Sequence, residues 1–435
     1  MAVFQLINQL FRVFDLTITA QISTQSVAAV SFFSQLSNTF GAIGGGFAMG
    51  AGILIAGAYG AGDFEGVKRN VNTSFALAFL MAMTLSIGLI GCSPLVLRLA
   101  NTPAEIAQTG LAYYRCEMLG LVFTYFNNVY IAIEKARGNG KIILKLNILL
   151  AIVKFSLSAL FVLVFHCGIL MISVATLLAN MVITVCGLFR LRHKNDVFGI
   201  SLAYVDIRFC AVRKLLHISL PVMAEKVAFS MGKVMVNSIG VAYGSGVIGA
   251  LGVSNTMSSL STMPPNSIGD GGAAVIRQNI GAGNKQRALM AFRCIFVVNI
   301  ILGIAGFALT LLFLSPLVTV FSNGDAAFGL QIKEVFTLEM CSNIFLAVNA
   351  SVMGLLYGFG YTRISFLLNF ARLFIFRLPL LIAVQQFSSL PGSTAMGVVM
   401  MVSNGVTGLV SLLIAGNILH KEYGKSWAKQ IFTLK

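Results

Sequence analysis

The sequence predicts an all-α integral membrane protein with twelve transmembrane helices in two pseudo-symmetric six-helix bundles. Three observations predict it: the composition, the rhythm of apolar runs and a weak internal repeat. The 435 residues are 57% hydrophobic and only 10% charged, whereas a soluble domain carries about a quarter charged residues. The mean hydropathy is +0.89. Runs such as Phe75 to Ile90, Leu146 to Val164 and Ile295 to Leu314 approach or reach the roughly 20 residues that cross a hydrocarbon core as helix. The period-two alternation of a β-barrel is absent.

Polar and Gly/Pro punctuation sets the spans at residues 2–22, 27–59, 67–92, 109–134, 142–166, 169–190, 216–242, 247–280, 287–314, 332–357, 363–387 and 394–419. The first lacks a charged n-region followed by a small-residue cleavage site, so it is expected as a membrane helix rather than a removed signal. The glycine-rich run Gly41 to Gly60 in the second has no GK[ST] ending and lies in an apolar span. Close helix packing through small residues therefore outranks a phosphate loop. After the sixth span comes the longest polar connector, carrying Arg192, Lys194, Arg208, Arg213 and Lys214. It implies an N-terminal bundle at 1–190, a cytoplasmic linker at 191–214, a C-terminal bundle at 215–419 and a cytoplasmic tail at 420–435.

The net charge of +16 would suggest nucleic acid in a soluble protein. Here the basic residues sit mostly in short connectors, and they are a topology signal instead. With the N-terminus inside, the inner loops hold Lys68, Arg69, Lys135, Arg137, Lys141, Lys145, the linker cluster, Lys285, Arg287, Arg363 and the basic tail. The outer loops hold little more than Arg98 and Lys333. The positive-inside rule then places both termini in the cytoplasm of a multi-pass cell-membrane protein.

The halves resemble each other. A shift of about 221 positions lays Val27-Ala28-Ala29-Val30 on Ile248-Gly249-Ala250-Leu251 and Gly60-Ala61-Gly62-Asp63 on Gly281-Ala282-Gly283-Asn284 without a gap. It also sets Gly44-Gly45-Gly46 near Pro264-Pro265, so each second helix is expected to be weakened at one depth by a different helix breaker. Parallel six-helix repeats imply a pseudo-two-fold axis along the membrane normal.

An ionisable side chain at mid-bilayer costs at least about 2.5 to 3.5 kcal/mol, so each needs a partner, a cavity or a purpose. Asp15 lies one turn after Arg12; either the two form a local ion pair or Asp15 is a proton or cation site. Glu225, four residues after Pro221 in the seventh span, is the second candidate, with Lys226 and Lys233 as rival charge partners. Asp270 follows the proline pair and precedes Gly271-Gly272, where a broken helix would expose it to a cavity. Lys154, Arg372 and Arg377 are basic counterparts inside the fifth and eleventh spans. Glu117 and Glu339 lie near the outer ends of their spans, where snorkelling is the cheaper explanation. The 7 cysteines show no CxxC or Cys/His spacing and the four histidines are scattered, so no metal site is expected. No Ser/His/Asp or paired-carboxylate constellation suggests an enzyme.

Taken in order, several stretches resemble the multidrug and toxic compound extrusion (MATE) family of the MOP flippase superfamily. They are Phe14-Asp15, Val27-Ala28-Ala29-Val30 and Gly60-Ala61-Gly62-Asp63 with Lys68-Arg69 behind it. Next come Ala136-Arg137-Gly138-Asn139-Gly140-Lys141, Leu220-Pro221 and Gly281-Ala282-Gly283-Asn284. The last are Gly358-Phe359-Gly360-Tyr361-Thr362-Arg363 and Phe376-Arg377-Leu378-Pro379. No single stretch is specific; their order and spacing across nearly the whole chain are.

The resemblance implies a V-shaped pair of bundles exporting small organic, often cationic, compounds in exchange for H⁺ or Na⁺ by alternating access. Asp15 matches the family's first-helix acid, and Glu225 falls where some bacterial members place a seventh-helix acid. The fifth span offers Lys154 and Ser156 where well-studied members bring Asn or Asp, which favours H⁺. Nothing acidic lies between Cys341 and Arg363 to match the tenth-helix acid of some drug exporters. The expected coupling residues are thus Asp15 and Glu225, with Arg12, Lys154, Lys226, Asp270, Arg372 and Arg377 as a charge network around the cavity. The expected partners are a small-molecule substrate and the lipid bilayer, with no nucleic acid, no cofactor beyond the coupling ion, and a monomeric state. The alternative is a flippase or exporter of a lipid-linked or anionic substrate, which the basic interior favours.

Overall fold

The computed structural model describes residues 18–19, 22, 24–99, 104–192, 196–322, 325–425 and 427. Among these the chain is helical throughout, with no strand. The helices are α1 (Thr24–Gly60), α2 (Phe64–Gly91), the short α3 (Ser93–Leu99), α4 (Ala104–Ala136) and α5 (Gly140–Ala159), which continues as a π-turn over Leu160–Val164; α6 (Leu170–Leu191) follows. After the linker come α7 (Phe209–Gly240), α8 (Ser245–Gly281), α9 (Lys285–Leu312), α10 (Leu314–Ser322), α11 (Ala326–Met340) and α12 (Asn343–Phe359). The last are α13 (Thr362–Phe370), a π-helical segment at Ala371–Arg377, α14 (Leu378–Phe387) and α15 (Gly392–Tyr423). The first expected span falls almost wholly outside the described residues.

Among the described residues eight helices are long and apolar enough to cross a membrane, and the bent pair α11 and α12 makes a ninth if taken as one span. The long helices α7 and α8 fall outside that test because their sequences carry Glu225, Lys226, Lys233 and a dense run of Ser, Thr, Gly and Pro. Helices of that composition are stable in a bilayer when protein rather than lipid surrounds their polar groups.

The chain divides into two compact units at Val227 and Ala228, within α7. In the first, α1 packs chiefly against α4; in the second, α8 packs chiefly against α12. These are the second and fourth spans of each half, so the repeat extends to helix pairing. It extends to the turns as well. Gly62 and Gly283 both take φ of 73°, and the next residue caps the following helix: Gly66 N donates to Asp63 Oδ1 at 2.8 Å and Arg287 N to Asn284 Oδ1 at 3.0 Å. Glycine is the residue that enters the left-handed region without a Cβ penalty, and Asp or Asn supplies the capping oxygen. Gly138 (φ 79°) and Gly360 (φ 82°) make a second matched pair 222 positions apart.

The glycine-rich stretch serves packing. A Cβ on Gly46 would lie 2.7 Å from Met223 Cα, and one on Gly50 would lie 2.6 Å from Ser219 Cα. Ser219 Oγ also donates to the carbonyl of Phe47 at 3.3 Å. The expected breaks do not occur: α1 and α8 run unbroken through Gly44–Gly46 and Pro264-Pro265. The buried Asn299 amide of α9 donates to Pro265 O of α8 at 3.2 Å, and Gly269 and Gly354 let α8 and α12 touch backbone to backbone. The break falls instead in the tenth span, where α11 and α12 meet at 49°. Both the N–H and the hydroxyl of Ser342 bond to Glu339 O, at 3.0 and 2.6 Å. Local bonds of this kind compete with the helical ladder and turn the chain.

The linker is strapped to the first unit. Asn72 Nδ2 donates to Gly199 O (3.2 Å) while Ser201 N donates to Asn72 Oδ1 (2.7 Å). Asp206 N donates to Thr73 Oγ1 at 3.0 Å. Arg137 Nη2 meets Asp196 Oδ2 at 2.5 Å, and its guanidinium lies over Phe198. Glu134 is 0% exposed and takes Arg137 at 3.4 Å and Arg190 at 3.5 Å. The basic turns after α1 and α4 and the linker therefore share one end of this unit, as the charge distribution requires. The side-chain hydrogen bond from Arg208 holds the Asp206 carboxyl down to about 2.

Three outcomes are expected. Gly50→Ala should destabilise the protein by about 1 to 3 kcal/mol, seen in thermal unfolding, because a backbone lies where the methyl must go. Asn72→Ala should remove hydrogen-exchange protection at the Ser201 amide. The Asp206 carboxyl, whose folded pKa is depressed, should contribute in full above its ordinary value near about 4 and lose that contribution progressively as pH falls from there through 2, read from exchange at the Asp206 amide.

Candidate functional site

Two buried polar centres stand out, one in each unit. In the first, Glu225 is 3% exposed on α7, one turn beyond Pro221, just after Val222 and Met223, which press on Gly46. Lys226 Nζ lies 3.9 Å from its Oε1. Neighbouring residues on a helix do not face each other, so this contact with the half-exposed lysine is long. Lys154 lies half-buried on α5.

In the second unit, Glu339 at the end of α11 is 3% exposed, and Ser254 Oγ of α8 donates to its Oε2 at 2.5 Å. Arg377, also 3% exposed, donates from Nε to Ser403 Oγ at 3.0 Å and from Nη2 to Asn404 Oδ1 at 2.6 Å. Arg372 donates to the same oxygen from Nε at 3.2 Å and from Nη2 at 2.9 Å, and its guanidinium lies over the Phe229 ring at 5.5 Å. Asn404 Nδ2 donates onward to Ser342 Oγ at 3.0 Å, at the α11–α12 break. Beside it Asn343 is buried, and neither of its amide atoms has a partner among the described residues.

Among the described residues no cluster has metal-ligand geometry. The model of the MatE family matches residues 1–160 and 221–383, most of the chain and parts of both units. The chain belongs to the MatE family.

Among relatives of this MatE chain, the probable multidrug resistance protein YpnP of Bacillus subtilis is 24% identical over 381 residues, 86% of this chain and 82% of that one. The probable multidrug resistance protein NorM of Thermotoga maritima is 22% identical over 398 residues, 88% and 83% of the two chains. A crystal structure of a MATE protein in complex with MaL6 superposes with a TM-score of 0.91 at 18% identity, covering 99% of this chain and 95% of that one. A MOP-superfamily transporter from Pyrococcus furiosus, described as having a binding pocket of reversed polarity, gives 0.91 at 18%, covering 98% and 94%. The fold is the twelve-helix, two-bundle architecture of these transporters.

Within this MatE-family protein the expected site residues separate. Arg12 and Asp15 lie outside the described residues. Glu225 and Lys226 come together, and Arg372 and Arg377 come together. Asp270 is half-buried on an unbroken α8, without the helix break that was expected to open a cavity beside it. Glu339 does not snorkel: it is buried at the helix break and bonded to Ser254. Asn404, Ser403, Ser342 and Ser254 were missed. Their one sequence signal is the polar pair Ser403-Asn404 inside an apolar span. Glu339→Gln should destabilise the protein by about 1.5 to 3 kcal/mol, since it replaces the charged acceptor of the buried Ser254 hydroxyl by a neutral amide; chemical denaturation of the detergent-solubilised protein measures it.

Proposed function

We propose that this chain is a secondary active transporter that exports small organic compounds in exchange for H⁺ or Na⁺, with Asp15 and Glu225 as the coupling carboxylates. MatE membership and relatives named as multidrug resistance proteins support the transport reading. The observation that carries the coupling role is Glu225, a carboxylate 3% exposed in a membrane-spanning bundle with Lys226 Nζ 3.9 Å from its Oε1. Ionisable side chains enclosed in this way are costly to insert, and they mark proton and ion pathways. Asp15, the first-helix acid, is the second coupling group on the strength of the family pattern. Lys154 in the same unit favours H⁺ over Na⁺, because its ammonium takes the electrostatic place of a bound Na⁺.

Everted vesicles containing the protein should take up ethidium when a pH gradient is imposed. Asp15→Asn and Glu225→Gln should each bring that uptake to background while leaving the amount of folded protein unchanged. Full pH-driven uptake by either folded variant rejects that residue as a coupling group. A gradient of Na⁺ in place of H⁺ identifies the ion.

A further inference from the structure

The cluster around Asn404 has more cation than its surroundings balance. Arg372 and Arg377 sit five residues apart, which on an α-helix at 3.6 residues per turn puts them about 140° apart around the axis. The segment Ala371–Arg377 is instead π-helical, and i→i+5 bonding brings residues five apart onto one face. The two guanidiniums consequently converge on one acceptor. Asn404 Oδ1 receives three N–H groups from two cations, at 3.2, 2.9 and 2.6 Å, although an amide oxygen has two lone pairs. Among the described residues neither arginine forms a direct ion pair, and none accepts a hydrogen bond from either Nη1. Among the described residues Glu339, whose backbone oxygen takes the hydroxyl of the same Ser342 that Asn404 meets, is the carboxylate this network reaches. Two positive charges thus face one negative charge, in surroundings where repulsion between like charges is several-fold stronger than in water.

We propose that Arg372, Arg377 and Asn404 form a receptor for an oxyanion, a carboxylate or phosphate group carried on an apolar body. An oxyanion offers the forked acceptor that guanidinium groups match in pairs, and it brings the cluster to neutrality. The Phe229 ring, stacked on Arg372, supplies an apolar surface for the rest of the molecule. The inference rests on the transport reading only in taking the anion to come from a solute that the protein carries; the site itself is tested without any gradient.

The test is thermal unfolding of the purified full-length protein titrated with benzoate and, separately, inorganic phosphate, with chloride at equal ionic strength as reference. Saturable stabilisation by an oxyanion but not by chloride is expected. Arg372→Gln should weaken it by about tenfold or more, the loss that goes with a hydrogen bond to a charged group. Asn404→Asp separates a receptor from a merely structural network and does not depend on the arginine variant folding. A built-in carboxylate should raise the unfolding midpoint by itself and abolish the response to added anion. A lowered midpoint in Asn404→Asp, or absence of oxyanion stabilisation in the wild type, overturns the proposal. Repeating the titration in nanodiscs of phosphatidylcholine, with and without phosphatidylglycerol, identifies the source. A response suppressed only by phosphatidylglycerol assigns the site to a lipid phosphate, and one that persists in both assigns it to a soluble anion. Loss of pH-driven uptake in the Asp15 and Glu225 variants is independent of this result, so the two readings fail separately.

Discussion

A charge or a backbone amide inside a bilayer has no water to fall back on, and the rest of this structure is arranged around that constraint. It makes every described element a helix, because only a helix satisfies its own backbone within one segment. It also places the polar helices. The composition that keeps α7 and α8 from qualifying as lipid-spanning by hydropathy is what the protein interior has to accommodate. Ser254 of α8 reaches Glu339, and Ser219 of α7 reaches the Phe47 carbonyl. The glycines of α1 belong to the same solution. Where lipid is as apolar as any side chain, burial does not drive helices together, so close approach through small residues takes that part.

The two units repeat their scaffold more faithfully than their chemistry. The left-handed glycines at Gly62 and Gly283, and at Gly138 and Gly360, recur with the same geometry, and the second and fourth spans pair in each unit. The buried charges do not repeat. One unit holds Glu225 beside a lysine, while the other gathers two arginines and one glutamate around an asparagine. Turn geometry tolerates few residue types, so divergence leaves it in place. Interior charges are free to change as long as each new one finds a partner.

Legibility followed the range of the interaction. Spans from the second to the twelfth were readable to within a few residues wherever hydropathy alone set the boundary, as for α2 or α9. The start of α7 was misplaced because Arg213 and Lys214 look like linker, yet helix begins at Phe209; basic residues near a helix end are tolerated where they reach the interface. The proline pair suggested a break that α8 does not have, since Asn299 and the contact with α12 hold it in place. The true break came from Ser342, an ordinary residue whose hydroxyl turned back to Glu339 O. Glu339 was misjudged for the same reason: its distance along the sequence from the span centre says nothing of which neighbour covers it.

The sequence by itself determined the membrane environment, the helices, the repeat, the capped turns and the candidate acids, because these depend on composition and on residues within a turn or two of each other. The tertiary structure decided which charges meet. That Arg372 and Arg377 share one amide oxygen depends on a π-turn and on α15, 27 residues further along at Asn404, and no local pattern encodes either. Burial of a charge is a property of everything packed around it, and that is fixed only when the helices are in place.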